Sequence, residues 1–518
     1  MTSITNLEQA NSTIADLRAE IERLKGQLEL LRAQTFGRRR EKIDPKQLLL
    51  FESNAKLLEQ LQKQVDEAQT EKPEKEKSEK KGHGRAPFAD HLPREQVDLD
   101  VPETERLCEC CGEAMHLIGT EVTERAHIIP AQVVVKRYCR NKYACPHGHS
   151  LKTAPLPDGV VDKGKYEASV YAHVITSKYG DHQPLHRLQS MFRRQGVHLP
   201  KQSMWDLLVR FDELAGQPIL AEMRRQLLEE QDLQADETPI KVQLEGKQRG
   251  TRRGILWVWR NVRGSPQEKV VADFKDDRSA RGPDAFLGSW SGNLLTDGYD
   301  GVNPVANRNN ITRSGCWAHA RRKFRDALST GAAKAGAVLR PIQRLFWIER
   351  AIKRRAERDE LDFAGLEDLR QRIRGRRSKA VLRGLYEIVF ALQDDPATQS
   401  NEQLRKAVTY VIRQRDPLLA HLDNGRIPIH NNDTERDLRH VVTGRKNWMT
   451  FGSERGGLVA GRLYSLVMSA KLAGINVETY LEDVLVRIAT TPASCIAELT
   501  PWGWAEARAA EIVDSESS

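Results

Sequence analysis

Near the middle of the chain, apolar segments follow one another in an order that few folds can accommodate. Three segments rich in β-branched and aromatic residues come first: one that ends at Val242, then 254–259, then 269–274. A helical segment at 280–288 follows, and then a short apolar segment at 292–296. Their length and composition predict three strands, a helix and a fourth, buried strand.

Two aspartates accompany the first and the fourth of these predicted strands. Asp236 lies near the start of the first strand, and Asp297 directly follows the fourth. In an RNase H-like α/β fold, which has this order of elements, the first and fourth strands are neighbours, so the two carboxylates would meet. Two carboxylates that close repel each other unless a cation lies between them. Alternatively, Asp236 caps a turn and Asp297 begins an Asp-Gly-Tyr turn.

The stretch 427–457 offers a third carboxylate. Asn431 and Asn432 are favourable helix N-cap residues, and Glu435 lies early in the polar helix that follows. Together with the two aspartates, Glu435 would suit a pair of Mg²⁺ or Mn²⁺ ions about 4 Å apart.

The stretch 427–457 also allows two alternative interpretations. Asp433 and Asp437 are rivals for the third carboxylate, but at ~100° per residue they point ~200° away from Glu435 on a helix. The three therefore cannot all line one site. The alternative for the whole stretch is an exposed helix with ion pairs between residues four apart, such as Glu435 and Arg439.

The N-terminal region has the heptad pattern of a coiled coil. Its apolar positions are Leu7, Ile14, Ile21 and Leu28, with Leu17, Leu24 and Leu31 three residues later in each heptad. This seam predicts a homo-oligomer, at least a dimer, the alternative being a helix packed on its own chain. A Lys/Glu-rich run at 66–81 lacks large apolar residues and predicts a flexible linker.

A cysteine-rich module follows the linker. Its candidate zinc ligands are Cys108, Cys111, Cys145 and either His149 or His147, with Cys139 as a further candidate. The C-x2-C pair and the second group flank a predicted strand or hairpin at 128–143, which is the arrangement of a structural tetrahedral zinc site. Gly148 occupies the position where a second C-x2-C would close. The alternative is a degenerate module with packed, free cysteines.

Charge and cysteine content narrow the class of protein. Lys and Arg exceed Asp and Glu by 81 to 72, and the net charge of +9 indicates contact with a polyanion such as DNA. The sequence has no apolar run near the ~18 residues of a membrane span, and its heptad-patterned N-terminus is unlike a signal peptide. Seven cysteines, an odd number, favour a reducing compartment. We therefore expect a cytoplasmic, DNA-associated protein.

Two regions are predicted to be helical. The first contains helices at 166–179, 184–195, 201–215 and 218–229, and is either a DNA reader of the helix-turn-helix kind or a scaffold bundle. The second, 327–423, lies within the 138 residues that separate Asp297 from Glu435, a distance too long for a loop. We interpret it as a basic helical insertion in the catalytic fold, either in contact with DNA or simply solvated.

Basic residues near the candidate carboxylates are candidates for DNA contact. The predicted phosphate contacts are Arg321, Arg322, Lys323, Arg439, Arg445 and Lys446, and Trp448 is predicted to stack on a base. The first three follow a C-x2-H pair, Cys316 and His319. That pair either binds a second metal or packs at a strand–helix junction.

Taken in order, these pieces resemble the DDE transposases of the bacterial insertion-sequence-66 family. Beyond the zipper and the finger, the matching segments are 36–39, 92–95, 177–179, 184–187, 235–238, 296–299, 315–324, 431–436, 451–457, 480–485 and 501–502. The resemblance therefore spans nearly the full length.

The resemblance implies that Asp236, Asp297 and Glu435 are the catalytic carboxylates and hold Mg²⁺ or Mn²⁺. It implies cleavage that frees 3′-hydroxyls at the element's ends, followed by their attack on target DNA, with accessory proteins of the same element as further partners. The alternatives are an RNase H-like nuclease that does not join DNA, and a non-catalytic DNA-binding relative.

The predicted fold is multidomain α+β: an N-terminal coiled coil, a small zinc-finger-like β module, a helical domain, and an RNase H-like α/β core with a helical insertion. The predicted boundaries are 1–65 for the coiled coil, 66–90 for the linker, 91–157 for the finger, 158–231 for the helical domain, 232–326 for the first part of the core, 327–426 for the insertion, 427–475 for the last part of the core and 476–518 for a C-terminal helix and tail.

Overall fold

The computed structural model of the protein describes residues 133–139, 141–144, 151–153, 164–244 and 250–516. The predicted coiled coil, the linker and five candidate zinc ligands lie outside these residues: Cys108, Cys111, Cys145, His147 and His149. Cys139, the further candidate, is described and its side chain is exposed.

A small antiparallel hairpin precedes the helices. It consists of β1 (Lys142–Ala144) and β2 (Leu151–Thr153). The sequence predicted a strand or hairpin at 128–143, but the described residues 133–139 form no strand. Their side chains are exposed, and Lys136 and Tyr138 contact Glu167 rather than a neighbouring strand. The partner of β1 is instead β2, which comes after the predicted cysteine and histidine ligands in the sequence.

Four helices follow in the region predicted to be helical. They are α1 (Ala168–Ile175), α2 (Leu185–Arg194), α3 (Lys201–Phe211) and α4 (Gln217–Leu227). Pro184 and Pro200 directly precede α2 and α3 with extended backbone, and a proline there disfavours a helical conformation for the residue before it. The apolar faces of all four helices pack into the main core, together with the sheet.

Six strands form the central sheet. They are β3 (Asp232–Gln243), β4 (Thr251–Asn261), β5 (Val270–Lys275), β6 (Asn293–Thr296), β7 (Thr312–Gly315) and β8 (Thr450–Phe451), with α5 (Arg281–Leu287) before β6 and α6 (Asn303–Arg308) before β7. The spatial order is β5-β4-β3-β6-β7, and β8 pairs with β3. Strands β3, β4 and β5 are antiparallel, whereas β6 and β7 are parallel to β3.

The first and fourth predicted strands, β3 and β6, are neighbours as expected, with Leu233 beside Leu294. The sequence did not predict β7 as a strand. Its residues are Thr-Arg-Ser-Gly, which contain no large apolar side chain, so a hydrophobic pattern could not reveal it.

Between β7 and the helix that carries Glu435 lies a helical insertion. Its helices are α7 (Trp317–Ser329), α8 (Ala335–Arg358), α9 (Phe363–Ile373), α10 (Lys379–Gln393), α11 (Pro396–Ser400), α12 (Glu402–Arg413) and α13 (Arg415–Leu419). Buried side chains such as Phe324, Ile342 and Val408 form a core separate from that of the sheet. The helical character predicted for this region is therefore present, and it begins earlier than residue 327.

The chain then returns to the sheet with α14 (Asn432–Trp448), α15 (Glu454–Leu472), α16 (Val477–Arg487) and α17 (Pro501–Glu516). Helix α15 lies against β5, where Ser465 exchanges hydrogen bonds with the backbone of Ala272. A Cβ atom at Gly457 would lie 2.6 Å from the ring of Phe274, so glycine permits this close approach. None of the described helices has the length and apolar character to cross a membrane.

Candidate active site

Strands β3 and β6 bring the two predicted aspartates together. Their last recorded pair in parallel register is Gln234 with Leu295. Continued for two residues, this register places Asp236 opposite Asp297. Both side chains then point to the same face, because side chains alternate along a strand.

Backbone hydrogen bonds fix the orientation of both carboxylates. Oδ1 of Asp236 accepts the N–H of Glu237 at 2.8 Å, and Oδ1 of Asp297 accepts the N–H of Tyr299 at 3.0 Å. The hydroxyl of Tyr410, on the insertion helix α12, donates to the carbonyl of Asp297 at 2.8 Å. The insertion is therefore attached to the chain at the aspartate itself.

The electrostatics of this pair are unfavourable without a cation. Burial and the Asp297 carboxylate raise the pKa of Asp236 to about 8, with further contributions from Glu237 and Glu435. Burial and Asp297 also raise the pKa of Glu237, although Arg278 bonds that side chain at 2.8 Å. Glu237 follows Asp236 on β3, so its side chain points to the other face of the sheet, and it acts on Asp236 through its charge. Sequence reasoning missed this third acidic residue.

Glu435 reaches the same region because the start of α14 is fastened to β3. Asn431, the N-cap residue, does not cap its helix with its side chain. Its amide instead donates to the carbonyl of Ala235 at 2.8 Å, and its side-chain oxygen accepts the hydroxyl of Thr434 at 2.8 Å. This buried contact holds the first turn of α14 beside the residue that precedes Asp236.

Asp433 and Asp437 point away from this group, as the helical angles predicted. Asp437 pairs with the buried guanidinium of Arg260 at 2.7 Å, and burial raises its pKa to about 6 even so. Asp433 lies 3.4 Å from Arg263 and 3.3 Å from Arg436. These ion pairs give both residues a structural role on the opposite face of α14.

His319, on α7, faces the carboxylates. Its Nε2 lies 3.6 Å from Oε1 of Glu435, and burial lowers its pKa although Asp297 and Glu435 oppose the shift. Cys316 is fully buried, and its sulfur accepts the N–H of Asn431 at 3.2 Å. The two therefore have separate environments, which supports packing at the strand–helix junction for Cys316 rather than a shared metal.

The acidic side chains are near one another without converging on one point. Within the ranges that the structure describes, no three His, Cys, Asp or Glu side chains are arranged closely enough to hold a metal ion. Glu435 is turned toward His319 and toward Arg322, whose Nη2 lies 3.7 Å from Oε2. Oε1 of Glu435 is buried and has no hydrogen-bond partner in the described structure.

The basic residues of α7 take three different positions. Arg322 lies beside Glu435. Lys323 extends over the ring of Tyr410, with Nζ 4.8 Å from the ring centre. Arg321 packs over the ring of Phe346, and burial lowers its pKa. Of the three phosphate contacts predicted on α7, Arg322 and Lys323 therefore lie beside the acidic group, and Arg321 lies apart from it.

The four predicted DNA-contact residues of α14 differ in exposure: two are exposed, and two contact other parts of the protein. Arg439 and Lys446 are exposed and, at ~100° per residue, lie within ~40° of Glu435 on the helix surface. Arg445 instead donates to the hydroxyl of Thr238 at 2.9 Å and to the carbonyl of Pro239.

Trp448 is half-buried, with the ammonium of Lys178 4.2 Å from its ring centre and the ring of Tyr179 at 6.3 Å. Burial lowers the pKa of Lys178 to about 8. Trp448 therefore packs against Lys178 and Tyr179 within the protein, and this packing does not require the stacked base that the sequence predicted.

Family models match the chain along most of its length. The model of the Transposase IS66 family matches residues 163–458, and that of the zinc-finger binding domain of transposase IS66 matches 105–147. A leucine-zipper model described as Transposase C of IS166 homeodomain matches 23–97, and the IS66 C-terminal element matches 465–502.

Two similar proteins come from Sinorhizobium fredii (strain NBRC 101917 / NGR234). Uncharacterized protein y4jD is 32% identical over 526 residues, which cover 96% of this chain and 96% of the relative. Uncharacterized protein y4hP is 27% identical over 526 residues, covering 95% of this chain and 90% of the relative. Because the largest model matches more than half of the chain and y4jD matches nearly all of it, the chain belongs to the IS66 family of transposases.

Proposed function

We propose that the chain is a DDE transposase with an RNase H-like catalytic core, which cleaves the 3′ ends of an insertion sequence and joins them to target DNA. The observation that carries the proposal is the half-buried pair formed by Asp236, on β3, and Asp297, directly after the parallel strand β6, where burial and repulsion raise the pKa of Asp236 to about 8. Glu435, on a helix fastened to the same strand by Asn431, is the third carboxylate of the proposal.

The acidic group fits a divalent metal by its chemistry. Carboxylate oxygens are the preferred ligands of Mg²⁺ and Mn²⁺. Burial is the largest cause of the raised pKa of Asp236, and the neighbouring carboxylates add a repulsion that a cation would neutralise. Asp236, Asp297 and Glu435 would hold the metal ions, which supply activation of the attacking oxygen and stabilisation of the leaving oxygen.

A change in the orientation of Glu435 would complete this site. Its contacts with His319 and Arg322, at 3.6 and 3.7 Å, are long for charge-assisted hydrogen bonds. The pair with Arg322 is a partly exposed ion pair, worth about 0.2–1 kcal/mol. Burial lowers the pKa of His319 and disfavours its charged form, so breaking both contacts costs little. In this proposal His319 and Arg322 hold Glu435 aside until metal binds.

The exposed face of α14 supplies a path for the DNA backbone. Arg439 lies one turn beyond Glu435 and Lys446 lies three turns beyond, about 6 Å and about 17 Å along the helix axis. Cations in such a row attract successive phosphates of one strand without reading its sequence.

We further propose that Cys108, Cys111 and Cys145, with His149 or His147, bind the zinc ion that the match to the zinc-finger model suggests. The heptad region would pair two protomers, and thereby two element ends. Accessory proteins of the same element are proposed partners.

The experiment is strand transfer of a labelled, pre-cleaved element end into plasmid DNA with Mn²⁺. The intact protein is compared with Glu435→Gln and with Asp433→Asn, a matched control that removes a carboxylate from the opposite face of the same helix. We expect joining by the intact protein and the control, and none by Glu435→Gln.

A non-catalytic DNA-binding relative is the second candidate, favoured by the lack of a converged metal site in the described residues. End binding without cleavage or joining by the intact protein would support that candidate. Cleavage of uncut ends without joining of pre-cut ends would instead support a nuclease.

A further inference from the structure

A basic cavity lies next to Asp297, on the side formed by the helical insertion. Its volume is about 630 Å³, and its lining includes Gly298, the residue that follows Asp297. Five cationic side chains contribute to the wall: Arg313, Lys323, Arg405, Lys406 and Arg413. Asp300 is the acidic residue among those that line it. A cavity of this size accepts a molecule of nucleotide dimensions.

Among the described residues, two cations of this wall have no carboxylate within 4 Å, although the charge of Arg405 acts on Glu402. Arg405 and Arg413 are exposed and make no ion pair among the described residues, whereas Lys406 pairs with Glu402 at 2.6 Å. The two arginines flank Thr409 on α12 at steps of four residues, and all three line the cavity. They extend for about 12 Å along the helix axis, which is the length of roughly three phosphates of one DNA strand.

Hydrogen bonds connect the wall of the cavity to the residues around Asp297. Tyr410 donates its hydroxyl to the carbonyl of Asp297 and carries Lys323 over its ring. On the sheet side, Arg313 donates to Asn303 and, at 3.3 Å, to the hydroxyl of Thr296. A strand held in this cavity would therefore be held at a fixed distance from Asp297.

A second cavity has the opposite charge. It measures about 840 Å³, includes Asp232 at the start of β3, and shares Arg313 and Pro417 with the first cavity. Five carboxylates line it, those of Asp232, Glu367, Asp368, Asp416 and Asp423, against two arginines, Arg313 and Arg426. A polyanion would be repelled from that cavity and attracted to the one beside Asp297.

We propose that the cavity beside Asp297 binds the sugar–phosphate backbone of the DNA strand next to the bond that is cut. The position of that bond rests on the proposed function. The chemistry of the ligand, a polyanionic backbone, is inferred from the cavity itself.

The test uses the full chain, without added divalent metal, so that binding is measured apart from chemistry. Binding of a fluorescent duplex with a single-stranded 3′ extension is followed by anisotropy over a range of salt concentrations. The test variant is Arg405→Ala/Arg413→Ala. The control, Lys379→Ala/Arg383→Ala, removes two exposed cations four residues apart on α10 that do not line the cavity. Both variants are checked for wild-type thermal unfolding.

Loss of two phosphate contacts should reduce the slope of log K against log salt by about 1.4 for a single strand. We expect this change in the cavity variant and an unchanged slope in the control. A wild-type slope in the cavity variant, or an equal loss in both variants, overturns the proposal. Strand transfer by the same proteins tests the proposed function separately. If the intact protein neither cuts nor joins DNA, the proposed function is wrong, but a difference between the slopes of the two variants still supports backbone binding in the cavity.

Discussion

Replacing Asp236 with asparagine should make the metal-free protein more stable while abolishing catalysis. Asparagine has nearly the same shape but no charge, so Asp236→Asn keeps the packing of β3 and removes the repulsion from Asp297. The raised pKa of Asp236, about 8 against an ordinary 3.8, measures that repulsion together with the cost of burial. Above pH 8 the folded wild type must hold a carboxylate that its environment disfavours.

The magnitude follows from the difference between the two pKa values, 8 − 3.8, or about 4. At about 1.4 kcal/mol for each pKa unit, the full ionisation cost approaches about 6 kcal/mol. Because Glu237 and Glu435 share the repulsion, and because an asparagine in this position must still find hydrogen-bond partners, we expect the substitution to recover about a third of it, ~2 kcal/mol.

The sign of the pH dependence is fixed by the direction of the shift. Since the pKa of Asp236 is higher in the folded state, the folded wild type retains a proton that the unfolded chain has lost. Stability is therefore lost as the pH rises from about 4 to about 8. The variant lacks this loss, so its advantage over the wild type should widen between pH 5 and pH 8.

The assay is urea unfolding of both proteins at pH 5, 7 and 8, with and without Mn²⁺. Asp326→Asn, which changes an exposed aspartate of α7, is the control for loss of one negative charge. Mn²⁺ should stabilise the wild type and the control more than Asp236→Asn. Equal stability of wild type and Asp236→Asn at pH 8, or equal stabilisation of all three proteins by Mn²⁺, would refute the reasoning.

Three further outcomes are expected. Asn431→Ala leaves the carbonyl of Ala235 buried and unpaired, so it should lower the free energy of unfolding by about 1–3 kcal/mol and reduce strand transfer while DNA binding persists. Gly457→Ala forces a Cβ against Phe274 and should cost about 1–3 kcal/mol in urea unfolding, whereas Gly452→Ala, with nothing within 4 Å of its Cβ, should cost far less. Removal of zinc by a chelator should increase proteolysis within residues 105–147, and added zinc should restore resistance.

The sequence was most informative where apolar segments and charges follow a short period. The strands, the intervening helix and the adjacency of β3 and β6 could be predicted because their residues are β-branched, aromatic and buried. The opposite faces of Glu435 and Asp437 followed from the angle per residue alone. Strand β7 could not be predicted, since it is polar and is defined by its pairing with β6.

The partners of individual polar side chains could not be predicted. Asn431 was expected to cap its own helix, but its amide bonds Ala235, 196 residues away in the sequence. Arg445 and Lys446 are neighbours in a basic run, yet Arg445 bonds β3 and Lys446 is exposed. The sequence gives the type of each group, and only the tertiary fold decides whether a neighbour already satisfies it.

That difference separates two aspartates on one strand. Asp232 is as deeply buried as the core, but Arg426 lies 2.8 Å from its Oδ2, and the amides of Asn293 and Asn424 donate to its Oδ1 at 2.8 and 2.7 Å. Its charge therefore has an arginine and two amides as partners, and these contacts fasten the insertion to the sheet. Asp236, four residues further along, faces other carboxylates instead of a cation. A charge in this position lowers stability unless a cation lies beside it, and the proposed function supplies that cation as a divalent metal ion.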